Sequence, residues 1–411
     1  MLYRVVPKNG DRLSVLGYGC MRLPMRLHSV DEKLAESQIM HAVDRGVNYF
    51  DTAYSYHKGK SESFLGKIFS ENNCRDSIKI ATKLPHWMTG SKSDMDKILN
   101  EQLRRLKTDH IDYYLIHGLS GKSWEDAKYK GVLEFMDDGV EKGKIINAGF
   151  SFHGGADEFE VIVDSYDWIF CQIQYNYLDV QYQAGTRGLR YAASKDMAVM
   201  IMEPLRGGNL ARTTPISVQN IWSSANQKRT SAAWSLGWIW NHPEVTLVLS
   251  GMNNDEHINE NLALAEKALP QTFSENDLQL VALAAEEFRK IVKIRCTGCR
   301  YCMPCPSKVN IPGCFDCYNS MHTFKDKRAK LRYYFHNSGF AAEGSATASS
   351  CVQCGICIEK CPQHLPIPDL LKIVQDDMEG AFSKLMVWLV MRAMRVRKMI
   401  SDTGKKLFVR K

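Results

Sequence analysis

A parallel (β/α)8 barrel of the TIM type, followed by a smaller, mostly helical, cysteine-rich domain, is the fold class this sequence predicts. Three observations predict it. Eight short apolar runs rich in Val, Ile and Tyr alternate with helical patterns up to about residue 268. No G-x-G-x-x-G fingerprint follows the first run, as a doubly wound open sheet would often carry. Ten of the 13 cysteines fall between Cys296 and Cys361 in tight clusters.

The strand candidates, in order, are LSVLGYG, VNYFDTA, IKIATK, IDYYLIH, IINAGFS, WIFCQIQ, AVMIMEP and VTLVLSG. Strand followed by helix, repeated, argues parallel pairing, because each parallel neighbour needs a crossover. Ahead of the first strand, YRVVPKNGDRLSVL sets an Asn-Gly turn between short alternating runs and predicts a hairpin closing the barrel floor. In SDMDKILNEQLRRLK, Ile98, Leu99, Leu103 and Leu106 repeat at helical spacing, behind a cap expected at Ser93 with Asp96 three residues on. SENDLQLVALAAEEFRKIVKI, with Ser274 and Asp277 in capping positions, predicts one long amphipathic helix leading into the cysteines, and NSGFAAEGSATASS reads as a loop. The expected organisation is a barrel over 1–270, a connecting helix over 271–295, a cysteine-rich domain over 296–380 and a basic amphipathic tail over 381–411.

At 411 residues, with 45% hydrophobic and 24% charged residues, the chain is long for one core and ordinary for a globular protein. Its net charge of +7 is local: residues 381–411 hold nine Lys/Arg against Asp402 alone, a charge of +8, leaving the rest near −1. No nucleic-acid partner is implied for the body of the protein. The tail, FSKLMVWLVMRAMRVRKMISDTGKKLFVRK, reads first as a docked helix and second as a peripheral membrane contact. MLYRVVPKNG lacks the order of a signal peptide, no apolar run is long enough to cross a bilayer, and clustered cysteines suit metal in a reducing compartment, so the expected location is cytoplasmic.

In such barrels chemistry gathers at the C-terminal strand ends. There Asp51 ends the second strand, Tyr56 follows in DTAYSYHKGKSE, Lys83 ends the third in ATK, and His117 ends the fourth in YLIHG. Each alone reads as readily as a cap, a loop aromatic or a strand-end partner. Together they suit proton delivery to a carbonyl oxygen: an ammonium lowers a tyrosine's pKa, a carboxylate fixes the ammonium, and a histidine orients the carbonyl.

With NYFDTAYSYHKGKSE, IATK and DYYLIHG on the page, residues 1 to about 270 resemble an aldo-keto reductase, whose Asp, Tyr, Lys and His tetrad they match in order. The resemblance implies a nicotinamide cofactor and direct hydride transfer to or from a carbonyl or alcohol carbon of a small molecule. It assigns Ser151 and Gln172 to the carboxamide, Leu205, Arg206, Gly207 and Gly208 to a pyrophosphate loop, and Ser250, Gly251, His257, Glu260 and Asn261 to the adenosine end. There are departures. Phe152 stands where the family often has Asn after the serine, Met202 replaces the aromatic that commonly stacks on the nicotinamide, and His257 replaces an arginine that clamps a 2′-phosphate. NADPH is the implied cofactor and NADH its alternative. Trp87 and Met88 after the third strand and Trp124 after the fourth read as pocket lining or as packing.

Cys296, Cys299, Cys302 and Cys305 precede Pro306, and Cys351, Cys354, Cys357 and Cys361 precede Pro362. Two-residue gaps let thiolates converge on a 4Fe-4S cubane, and in two-cluster ferredoxins the fourth cysteine ligates the other cluster. The expected sets are Cys296, Cys299, Cys302 and Cys361 for one cluster, and Cys351, Cys354, Cys357 and Cys305 for the other. Paired zinc sites are the weaker reading, since they need no trailing Cys-Pro. The first motif has two residues rather than three before its last cysteine, and the wide separation of the motifs favours a helical ferredoxin-like arrangement. CPSKVNIP and CPQHLPIP look like one turn used twice. Cys314 and Cys317 read as buried thiols. The whole chain therefore resembles the ferredoxin-fused branch of the aldo-keto reductases.

Three functions follow: a nicotinamide-dependent oxidoreductase wired to a redox partner protein, the same enzyme with structural or oxygen-sensing clusters, or an electron-transfer or docking protein whose barrel is a scaffold. A flavin would link two-electron and one-electron chemistry, but no motif supports one.

Overall fold

The structure, a computed structural model, describes residues 1–26, 29–211, 214–323, 326–337 and 346–380. The tail, and with it the expected membrane contact, lies outside them. Among the described residues no helix is long and apolar enough to cross a membrane.

Eight parallel strands close into a barrel in chain order: β1 (Leu16–Gly19), β2 (Tyr49–Asp51), β3 (Lys79–Leu84), β4 (Ile111–Leu119), β5 (Ile145–Phe152), β6 (Phe170–Gln174), β7 (Ala198–Met202) and β8 (Val245–Ser250). β8 pairs back onto β1 through Val248 with Leu16 and Ser250 with Tyr18. All eight lie within the expected runs or overlap them. They read as continuous apolar stretches because side chains fill one face and helices cover the other. Tyr49, Ala81, Tyr113, Phe170, Met200 and Leu249 fill the interior, large residues beside small ones. At Gly149 a Cβ would lie 2.4 Å from the Phe170 ring, so only glycine fits. Truncating Phe170 to alanine would cost about 3–5 kcal/mol.

The hairpin is present: Tyr3–Val5 pairs antiparallel with Arg12–Ser14. Its flanking Val6 and its Leu13 join the interior cluster and close that end of the barrel. The helix Lys92–Leu106 starts earlier than the expected cap at Ser93. Ser91 takes the extended backbone of an N-cap and accepts the Asp94 N–H, while Ser93 already lies in the first turn.

The chain divides into two compact units, one built from residues up to 286 and the other chiefly from those after it. The division falls inside the helix Glu275–Ile291. That helix has its capping box, Asp277 N–H to Ser274 Oγ at 3.1 Å and Ser274 N–H to Asp277 Oδ2 at 3.3 Å. Asp277 also pairs with Arg229 at 2.9 Å, which fixes the start of the helix to the barrel unit.

The second unit is mostly helical, with Ile311–Thr323 and Ala329–Asn337 between the cysteine motifs and Ile367–Met378 after them. Its core packs Phe315, Tyr333, Leu371, Val374 and Met378 with Cys314 and Cys317, which are buried thiols.

Candidate active site and cluster site

Strand register sets the barrel site. Gly19, Asp51 and Ala81 lie level on β1, β2 and β3, so Lys83 stands two residues above Asp51 and reaches back to it. Its Nζ meets Asp51 Oδ1 at 2.8 Å, Asp51 Oδ2 at 2.7 Å and the Thr52 carbonyl at 2.7 Å. These three contacts use the three protons of the ammonium. The Tyr56 hydroxyl lies farther off, at 3.4 Å, with Nζ 4.9 Å from its ring centre. Lys83 therefore acts on the tyrosine mainly through its charge. Burial raises the Asp51 carboxyl and lowers the Lys83 ammonium, each opposed by the other's charge across the contact.

A buried polar scaffold stands behind Lys83. Gln102 donates to the Lys83 carbonyl at 3.0 Å and to Glu62 at 2.7 Å, and Glu62 also accepts from Thr82 at 2.7 Å and Arg105 at 3.1 Å. Every member has a partner, as a buried network requires.

His117, on β4, is buried with its ring nearly perpendicular to Tyr56 at 6.2 Å. Burial holds its pKa well below the usual imidazole value, with Lys83, His153 and His86 adding to the effect, so the ring is neutral. The half-exposed Trp87 ring lies 5.1 Å from it, beside exposed Met88. Trp124 is fully buried against Trp168 at 6.1 Å and is packing, not pocket lining.

Ser151 and Gln172 sit side by side in register on β5 and β6. Ser151 Oγ accepts the Gly118 N–H at 2.7 Å, and Gln172 Nε2 points at Met202 sulfur, 3.6 Å away. Gln172 Oε1 is buried with no hydrogen-bond partner, an arrangement that suits an amide donor such as a nicotinamide carboxamide. Phe152 turns into the helix layer against Phe159 at 5.1 Å and leaves the mouth.

The loop after β7 holds the residues expected to approach a pyrophosphate. Arg206, Gly207 and Gly208 all have positive φ, but their N–H groups are engaged: Arg206 with the Glu203 carbonyl, Gly207 with the Glu203 carboxylate and Gly208 with the Leu205 carbonyl. The Arg206 guanidinium pairs with Asp179 at 3.0 Å. A pyrophosphate would displace such bonds. Of the residues expected to meet adenosine, Asn261 donates to Ser250 Oγ at 3.0 Å and Glu260 accepts from Thr230. Exposed His257 gives its backbone N–H to the Asn254 cap at 2.8 Å. Gly251 lies under the Arg22 side chain, 3.2 Å from where a Cβ would stand.

Arg22, His57, His86 and His153 were not among the sequence candidates. His86 and His153 follow the ends of β3 and β5, and Arg22 follows β1, so reading every polar residue just past each strand would have found those three. His57 is the immediate neighbour of Tyr56.

The two cysteine motifs share one backbone. Gly298 N–H points to Cys296 sulfur and Gln353 N–H to Cys351 sulfur, both at 3.4 Å. Arg300 and Gly355, each one residue past the second cysteine, have φ of +68° and +78°. Lys308 and His364 repeat the next turn, with φ of +61° and +49° and N–H bonds of 2.9 Å to the Cys305 and Cys361 carbonyls. CPSKVNIP and CPQHLPIP are thus one turn used twice, each leading into a helix that opens Ile-Pro. Burial raises the Cys302 thiol, and Cys299, Cys296, Cys361 and Cys357 add to it in that order. Burial also raises Cys357, with Cys351, Cys305 and Cys354 as the neighbouring thiols. Each motif's last cysteine therefore stands with the other motif. A small cleft is lined by Cys302, Cys305, Cys351, Cys354 and Cys357. Among the described residues no three His, Cys, Asp or Glu side chains converge as a single ion would require, whereas the ligands of a four-iron cluster stand farther apart. The donor set, thiols with backbone N–H groups aimed at sulfur, fits such clusters.

Residues 15–276 match the sequence profile of the Aldo/keto reductase family and residues 295–365 that of the 4Fe-4S dicluster domain. The uncharacterized oxidoreductase YrpG of Bacillus subtilis is 28% identical over 230 residues, 51% of this chain and 68% of its own. Among solved structures, the holo form of aldo-keto reductase AKR11C1 from Bacillus halodurans superposes with a TM-score of 0.58 at 22% identity, over 69% of this chain and 96% of its own. An aldo/keto reductase from Klebsiella pneumoniae, in complex with NADP and acetate, gives 0.57 at 23% identity with the same coverage. At these identities the likeness is one of fold.

Proposed function

The chain belongs to the aldo/keto reductase family and carries a C-terminal 4Fe-4S dicluster domain, and from that premise we propose that its barrel is a nicotinamide-dependent oxidoreductase acting on a small carbonyl or alcohol. The observation that carries this reading is the chain of contacts from Asp51 through Lys83 to Tyr56, closed by neutral His117. A bound nicotinamide supplies the hydride. Tyr56 donates its hydroxyl proton to the carbonyl oxygen, and Lys83 stabilises the phenolate left behind. Asp51 and the Thr52 carbonyl fix the ammonium so that it does not reorganise during the step. Neutral His117 orients the carbonyl without competing for the proton. Gln172 and Ser151 hold the carboxamide, which sets the face presented to the substrate.

For the second domain we assign one cluster to Cys296, Cys299, Cys302 and Cys361 and the other to Cys351, Cys354, Cys357 and Cys305, serving single-electron transfer. Cys354 is exposed while Cys302 and Cys361 are buried, so the second quartet is the more open to solvent. Two measurements test the whole. Tyr56→Phe should lower NADPH-dependent reduction of 4-nitrobenzaldehyde roughly 10²- to 10⁴-fold; native rates would remove the barrel chemistry. Anaerobic EPR after adding NADPH or NADH, with dithionite as positive control, should show reduced clusters if the domains exchange electrons. Signals with dithionite alone would leave the barrel a self-contained enzyme.

A further inference from the structure

The turn that carries Tyr56 has a strained backbone. His57, Lys58 and Gly59 follow the tyrosine with φ of +51°, +59° and +82°. Three consecutive residues are left-handed and only one is glycine, although a side chain makes this region unfavourable. Such a conformation persists only where its surroundings over-determine it. One tie is visible: His57 Nε2 lies 3.1 Å from the carbonyl oxygen of Cys20, the residue after β1. Cys20 is fully buried and its thiol is within the electrostatic reach of Asp51 and Lys83. The tie therefore joins the tyrosine's turn to the part of the barrel rim that also holds the catalytic ion pair. The contact it would protect is the longest that Lys83 makes, since Tyr56 stands 3.4 Å from it while the lysine's other partners stand at 2.7–2.8 Å.

Resting on the reading of Tyr56 as the proton donor, we infer that His57 is a positioning residue whose hydrogen bond to the Cys20 carbonyl latches the Tyr56 turn and keeps the phenol within the field of Lys83. A carbonyl oxygen only accepts, so Nε2 carries the proton. The neutral Nε2–H tautomer and the imidazolium both satisfy that bond, and the latch is indifferent to protonation of its own ring. It acts through distance: if the turn relaxes, the hydroxyl moves away from Lys83, the phenolate loses stabilisation and the tyrosine becomes a weaker acid.

The test compares His57→Gly, His57→Gln and Tyr56→Phe in the full chain with reconstituted clusters, using NADPH and 4-nitrobenzaldehyde. Glycine adopts positive φ freely, so His57→Gly removes the tie without adding strain; glutamine restores an N–H donor of similar reach. His57→Gly should lower kcat roughly 10- to 100-fold and move the alkaline limb of the kcat–pH profile to higher pH, with KM and NADPH affinity within about twofold. His57→Gln should recover most of the rate and return the limb toward its native position. Native-like kcat and an unmoved limb in His57→Gly, with Tyr56→Phe inactive, would overturn the latch alone. Equal loss of thermal stability in both His57 variants with the limb unmoved would also overturn it, as a structural role. Native rates in Tyr56→Phe would remove the assignment of Tyr56 and the latch with it.

Discussion

The barrel site and the cysteine-rich unit both hold reactive side chains at set distances, and they do so by opposite means. In the barrel, Asp51, Lys83 and His117 come from three successive strands, each two residues past the level of the one before, and meet because the register of a closed sheet fixes that stagger. Each is buried, and Asp51 and Lys83 sit in a network whose members satisfy one another. In the second unit the geometry around the thiols is local, one turn written twice, and the last cysteine of each motif stands near thiols of the other. The first arrangement is complete as protein. The second sets thiols beside thiols, and like groups that repel when ionised need a metal to hold them.

The largest expected effect follows from that difference. Anaerobic removal of iron by a chelator should unfold the second unit and open it to proteolysis beyond residue 287, while the barrel keeps its own near-UV dichroism and melting transition. Loss of both units together would break the contrast. Within the second unit, Cys361→Ser should remove the same EPR species as Cys296→Ser, and Cys305→Ser the same one as Cys351→Ser. Pairing by motif would show that the fourth cysteine does not cross.

The contrast also explains what the sequence discloses. Eight strands were readable because a sheet covered on both faces leaves unbroken apolar runs, and the tetrad because barrel chemistry gathers at strand ends. The cysteine turns were readable because their geometry is local, so spacing carries it. The closed state of the loop at Arg206 was not, since nothing in PLRGG announces that Glu203 and Asp179 would engage its N–H groups and its arginine. The cap at Ser91 was missed because two serines two residues apart carry the same signal, and only backbone conformation chooses between them. His57 was passed over because its role lies in a contact to a residue 37 positions away.

A middle-sized effect sharpens the barrel side. Burial, and then Lys130, holds the His86 imidazole at about 4. The unfolded value is about 6.5, so the folded state disfavours the charged ring. The stabilisation is fully present above about pH 6.5 and is lost as pH falls toward 4, amounting to about 3 kcal/mol. His117 is shifted in the same direction and adds to the slope. The barrel's melting transition should fall over this window, and His86→Gln should flatten part of the fall; an unchanged slope would place the acid sensitivity elsewhere.

The smallest effect concerns the most exposed part of the site. The helix Asp255–Ala265 begins with two acids, and His257, at its third position, is the residue that the family resemblance puts where a fixed cation would select a 2′-phosphate. His257→Arg adds a permanent charge and a forked donor, which a phosphate can engage in two hydrogen bonds. At an exposed position screening limits the gain, so the ratio of kcat/KM for NADPH over NADH should rise only about three- to tenfold. His257→Gln should change the ratio by less, because glutamine keeps a side-chain hydrogen-bond donor at this position. A ratio that moves with neither substitution would mean that the adenosine end does not rest on this helix start, and Arg22, lying across Gly251, becomes the cation to test. Either result separates a contact made by exposed charge, which a single substitution tunes, from the buried network at Lys83, where removing one member leaves the others unsatisfied.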